Sequence, residues 1–118
     1  SQDFFESIQQ FAVPLDTRAL GQLSRSALAL DIYTWLAYRL CQIKDPDGVF
    51  VSWRSLHDQF GQEYAQLKDF KREFHRMLVQ VGSAYPEARF SFDKTRGGLQ
   101  LYNSPPPIPK KQIMTIYG

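Results

Sequence analysis

Five nitrogen-bearing side chains crowd one short stretch of the chain: Lys68, Lys71, Arg72, His75 and Arg76. Laid out at 100° per residue, Lys68, Lys71, Arg72 and His75 share one face of a helix, with Arg76 at its edge. Leu67, Phe70, Phe74, Met77, Leu78 and Val81 share the opposite face. The chemistry such a face offers is recognition of a polyanion. Lysine and arginine can meet backbone phosphates or the O6 and N7 acceptors of guanine in a major groove. His75 would add a pH-dependent contact there, or serve as an ordinary surface histidine. The plainer alternative is a solvated helix face laced by ion pairs, since Asp69 and Glu73 lie between the basic and apolar stripes.

Two further groups have the right chemistry. Lys94 and Arg96 fall in a glycine-containing turn, Asp93-Lys94-Thr95-Arg96-Gly97-Gly98, with Arg89 on the strand before it. A turn carrying bases could reach a minor groove or phosphates, or be a plain exposed turn. Ser52, Arg54 and Ser55 open a short helix. A helix N-terminus with hydroxyls can clamp a phosphate or simply be capped.

Catalytic and metal chemistry find no matching pattern. The two histidines, His57 and His75, stand eighteen residues apart, so there is no His-x-His pair. One cysteine and two histidines do not make a structural zinc site. No Gly-x-x-x-x-Gly-Lys-Ser/Thr loop is present to cradle a nucleotide, and the acids are scattered rather than paired for a two-metal nuclease. His57 beside Asp58 points a different way around its helix and is not a dyad. The expectation is therefore a protein that is not an enzyme, with no catalytic residues, metal or cofactor.

The elements that must position these groups follow from patterning. The 118 residues fit one domain, and 43% apolar with 14% aromatic residues argues against disorder. The lone Cys41 reads as a small core residue in a reducing compartment, so a cytoplasmic location is expected. No stretch approaches the ~18 apolar residues of a membrane span. The chain opens on Ser1 rather than Met, so further N-terminal sequence is expected. Charge is uneven. Residues 1–47 carry four bases and six acids, a net of −2, and residues 48–118 carry ten and six, a net of +4. That asymmetry points the C-terminal part at a polyanion.

Helices are expected over residues 2–10, 17–23 with Asp16 as cap, 25–43 with Ser24 as cap, 53–60 between Ser52 and Gly61, and 65–84. The 25–43 segment is apolar nearly all round and should be a central buried helix, with the Tyr33 and Tyr38 hydroxyls at its rim. Residues 12–15 should form an extended link around Pro14. Val49-Phe50-Val51 is a short β-prone run after a turn at 44–48, and residues 89–92 and 99–102 alternate as a hairpin. The fold class expected is mainly α with a small β-hairpin (α+β), a winged helix-turn-helix over residues 1–107 followed by an extended tail over 108–118 that holds Lys110 and Lys111.

The sequence also resembles, over about residues 4–107, plasmid replication initiators of the RepA type in their C-terminal DNA-binding domain. The residues that carry this are Phe4-Phe5-Glu6, Pro14-Leu15-Asp16-Thr17-Arg18-Ala19-Leu20, and the run from Ser26 to Leu40 containing Leu30-Asp31-Ile32-Tyr33-Thr34-Trp35-Leu36-Ala37-Tyr38-Arg39-Leu40. They continue through Ser52-Trp53-Arg54-Ser55-Leu56-His57-Asp58-Gln59-Phe60-Gly61, Asp69-Phe70-Lys71-Arg72-Glu73-Phe74, Tyr85-Pro86-Glu87-Ala88 and Ser104-Pro105-Pro106. The resemblance implies a winged-helix domain that binds double-stranded DNA at repeated origin sites, starts plasmid replication and recruits host replication proteins without hydrolysing a nucleotide. It places the groove reader on Asp69–Arg76 and the supporting helix on Ser52–Gly61. Two alternatives stand beside it: a dimerisation or protein-interaction module of such an initiator, with self-association as its partner chemistry, and a winged-helix transcription regulator.

Overall fold

The computed structural model describes residues 15–107. The expected helix at 2–10, the link at 12–14 and the tail at 108–118 with Lys110 and Lys111 lie outside the described residues. Helix α1 (Thr17–Leu23) starts where the Asp16 carboxylate accepts from the Arg18 amide. Helix α2 (Ala27–Leu40) is the central one, with Ala29, Ile32, Tyr33, Leu36, Ala37 and Leu40 buried.

Three details of α2 correct the sequence-based expectation. Its cap is Ser26, whose Oγ accepts from the Ala29 amide, and Ser24 instead closes α1 by bonding the Gly21 carbonyl through both its N–H and its hydroxyl. Ser26 is the last residue with extended backbone (φ −132°, ψ 118°), which is where a side-chain oxygen can reach back to the third helical N–H. The helix also ends at Leu40 rather than Ile43; Ile43 is buried from the following turn, its carbonyl taken by the Asn103 amide at 2.8 Å. Tyr33 does not sit at the rim. It is fully buried, its hydroxyl accepting from the Asp16 N–H at 2.9 Å and its ring edge-on to Tyr85 at 6.0 Å.

Strand β1 (Val49–Ser52) runs directly into helix α3 (Trp53–Phe60), and Ser52 ends the one and caps the other. Helix α4 (Leu67–Ala84) follows, then strands β2 (Arg89–Asp93) and β3 (Gly98–Tyr102). The sheet is three-stranded and antiparallel in the order β1-β3-β2, so the β-prone run is a full partner and not a loop beside a two-stranded hairpin. Val49 and Val51 pair opposite Leu101 and Leu99, and Phe90 and Phe92 pair opposite the same two leucines from the other side. With a side-chain period of two, all six turn toward the helices. Phe50, Gln100 and Tyr102 turn the other way. The protein is thus α+β, a helical layer over one face of a small sheet.

The α3–α4 turn is fixed by its own groups. The Gly61 N–H bonds the His57 carbonyl, the Tyr64 N–H bonds the Gly61 carbonyl, and His57 Nε2 meets the Tyr64 carbonyl at 2.8 Å. Helix α4 begins at Leu67, two residues later than expected, after Gln66, which makes no side-chain cap bond. Its inner face carries Phe70, Phe74, Met77, Leu78 and Val81, all buried. Fully burying Phe70 and Phe74 stabilises the α3–α4 pair by about 1.5–3 kcal/mol each. Among the described residues no helix is long and apolar enough to cross a membrane.

Candidate nucleic-acid interface

Trp53, the first residue of α3, ties three elements together. Its N–H donates to the carbonyl of Gly97 in the β2–β3 turn at 3.1 Å. Its ring stacks on Phe92 of β2 (6.0 Å between centroids, 16° between planes) and meets Phe70 and Phe74 of α4 edge-on. Phe92 in turn stacks on His75 of α4 at 4.5 Å and 22°. The Lys71 ammonium lies 5.7 Å above the Trp53 ring. Trp53, Phe92 and His75 therefore form a ladder from α3 through the sheet to α4, with Lys71 on its end. The ladder holds the first turn of α3, the middle of α4 and the hairpin turn in one fixed relation.

The residues singled out by sequence fall around this ladder unequally. Lys68, Lys71, Arg72, His75 and Arg76 are all exposed along α4. Arg72 and Arg76 are each held to an acid one turn earlier, Arg72 to Asp69 at 3.4 Å and Arg76 to Glu73 at 2.5 Å. The hydrogen bond from Arg76 to Glu73 raises the guanidinium's pKa further, so that charge is permanent. Arg76 lies toward α1, in a concavity shared with Gly21, Gln22, Arg25 and Gln80, and not toward the hairpin. Ser52 spends its oxygen on the Ser55 N–H and its hydroxyl proton on Ser55 Oγ, which is capping; Arg54 and Ser55 stand exposed in the same turn.

The hairpin bases separate. Lys94 is exposed in the turn. The Arg96 N–H is fixed by the Asp93 carboxylate at 2.9 Å, and its guanidinium lies 4.0 Å over the Phe50 ring, on the sheet face turned from the helices. Arg89 stands at the other end of β2, over the Tyr102 ring at 5.9 Å. Four residues of strand, about 13 Å, part it from the turn. Lys71 and His75 are thus tied to the ladder, Arg54, Ser55, Lys68, Arg72 and Lys94 stand exposed on the elements it joins, and Arg76, Arg89 and Arg96 turn to other neighbours.

Sequence reasoning missed the organising role of Trp53 and Phe92. Trp53 was legible as an inward-facing residue at i, i+3, i+7 with Leu56 and Phe60, but its bond to Gly97 joins residues forty-four apart and has no local signal. Val79 was also missed. It is 58% exposed, and its angle on the helix, between those of Lys68 and Arg72, was the signal that could have found it. Among the described residues no group of three or more His, Cys, Asp or Glu is placed to hold a metal ion.

Comparison with known families matches residues 1–55 to the family described as plasmid encoded RepA protein. That span covers α1, α2 and β1 and stops in the first turn of α3, short of α4 and the hairpin. The curated proteins gave no match, and neither did the solved structures. The matched span contains the Phe4-Phe5-Glu6, Pro14–Leu20 and Ser26–Leu40 segments that carry the resemblance in the sequence, and it supports a plasmid replication protein of the RepA type.

Proposed function

We propose that this chain reads double-stranded DNA as the duplex-binding, winged-helix part of a plasmid replication initiator. The observation that carries the reading is the ladder Trp53–Phe92–His75 with Lys71 above it. It presents a basic helix face, a helix N-terminus and a basic turn as one rigid surface. A short helix, a tight turn, a longer helix and a hairpin is the element order of a helix-turn-helix with a wing. In this reading α4 enters the major groove, α3 lies across the backbone, and Lys94 at the turn reaches a neighbouring phosphate. Plasmid replication follows from the family match, and repeated origin sites from the resemblance that accompanies it. The domain acts by binding and not by catalysis, works in the bacterial cytoplasm, and leaves contact with host replication proteins to other surfaces.

The test is a titration of the chain against a duplex bearing the origin repeats of its own plasmid, with footprinting. Arg72 stands opposite the buried face of α4, its side chain 79% exposed. Arg72→Ala is expected to weaken binding by about 1–3 kcal/mol. Unchanged affinity in a folded Arg72→Ala variant would remove α4 from the reading role. A fragment that dimerises on gel filtration and ignores the duplex would favour the protein-interaction alternative instead.

A further inference from the structure

We infer that Val79 selects a thymine, seating its isopropyl group against the C5 methyl of a T·A pair in the major groove; this rests on the reading of α4 as the groove helix. Among the described residues Val79 is the most exposed large apolar side chain, at 58%, against 39% for Leu67 and 37% for Tyr38. It packs on nothing in the core. Its position follows a rule. Lys68, Arg72, His75 and Val79 succeed one another at i, i+4, i+7 and i+11, which keeps all four within about 60° of arc around the helix. Val79 therefore continues the midline of the basic face, one turn beyond His75.

Three uses of an exposed valine can be weighed. A core use is ruled out by its exposure. A seam against a second protein would need more apolar residues on the same stripe, and its neighbours there are Lys68, Arg72, His75 and Ser83; one valine supplies a small fraction of the area a stable interface buries. A thymine edge is the third. It offers a single methyl group beside the O4 acceptor, flanked by phosphates, and suits one apolar side chain set among cations. Valine is also a weak helix former, so propensity gives no reason for it there. The spacing adds a geometric condition. Seven residues of helix separate Arg72 from Val79, about 10.5 Å along the axis, and one strand of a duplex rises about 3.4 Å per base. The thymine should lie about three base pairs from the position that Arg72 governs.

The experiment selects duplexes from a randomised library with the full chain, then replaces each thymine of the selected site by uracil, which removes only the methyl. One replacement should weaken binding about fourfold, the value of one buried methyl group. In Val79→Ala that same replacement should change affinity by less than about twofold, while in Arg72→Ala it should keep its effect. A selected duplex indifferent to uracil at every position overturns this inference and leaves the DNA reading standing. So does a uracil effect that persists undiminished in Val79→Ala. A chain that selects no duplex overturns the DNA reading and this inference with it. Circular dichroism separates these outcomes from misfolding, which an exposed Val79→Ala should not cause.

Discussion

Tyr33 and Tyr85 meet edge to face in the core and each ties a distant backbone group, Tyr33 the Asp16 N–H and Tyr85 the Pro105 carbonyl. Burial is the main cause that raises both phenol pKa values above the ordinary value of about 10. For Tyr33 the hydrogen bond from Asp16 works the other way. The sign follows from proton binding. Above about pH 10 the unfolded chain loses these protons while the folded chain keeps them. Their contribution to stability is complete below the unfolded value and is lost as pH rises toward the folded values. Urea midpoints measured from pH 8 to 11.5 should therefore be flat at first and then fall, each tyrosine adding a slope of up to about 1.4 kcal/mol per pH unit. Tyr85→Phe should lower stability at pH 8 by about 1 kcal/mol through the lost hydrogen bond and make the alkaline fall shallower. An unchanged alkaline slope in Tyr85→Phe would show that its phenol does not govern it.

Between elements, two glycines hold the interface together for different reasons. Gly97 takes φ +78° in the β2–β3 turn, with open space where a Cβ would go, and its carbonyl receives the Trp53 N–H. Gly61 has an ordinary φ of −123°, but a Cβ there would lie 2.3 Å from Cδ1 of the fully buried Phe70 ring. Gly97→Ala should cost about 1 kcal/mol of backbone strain, and Gly61→Ala about 1–3 kcal/mol of overpacking. Thermal melts should rank them in that order, and Gly61→Val should be worse again while Gly97→Asn, which tolerates positive φ, recovers part of the loss. Equal losses at both sites would mean that the turn and the packing explanations are not distinct. The two cases also mark what the sequence made legible. Helical periodicity placed α3 and α4 to within two residues, and the paired glycines after Asp93 announced the hairpin. β1 was four residues long and could be seen only as β-prone, because its pairing with β3 joins residues about fifty apart. The choice of Ser26 over Ser24 as cap turned on which serine was the last extended residue, and both share a composition. Tyr33 looked amphipathic, and its burial depended on the Asp16 N–H, which is seventeen residues away. Among the site residues, the basic α4 face was legible from its own spacing. Its alliance with Trp53 and Phe92 was not, nor was the divergence of Arg89 and Arg96, since both depend on which sheet face each side chain takes.

Over the whole molecule, charge is sorted more by the fold than by the halves of the chain. Arg54, Lys68, Lys71, Arg72 and Lys94 are exposed around the Trp53 ladder. Arg89 and Arg96 lie over aromatic rings on the outer sheet, and Arg76 is bound to Glu73 on the α1 side. On the proposed reading the first group meets the duplex. Each phosphate neutralised releases condensed counterions, so the logarithm of the binding constant falls with the logarithm of salt at about 0.9 per contact. Five such contacts are expected to give a slope of about −4.5 for the intact chain. Lys68→Ala should weaken binding to all sequences alike and reduce the slope by about 1. Arg89→Ala should leave the slope unchanged, since that guanidinium is committed to the Tyr102 ring about 13 Å along the strand from the turn. Affinities measured between 50 and about 200 mM salt for these variants decide the point. Equal slope losses in Lys68→Ala and Arg89→Ala would put Arg89 inside the same footprint as the α4 bases and overturn the separation of the two groups.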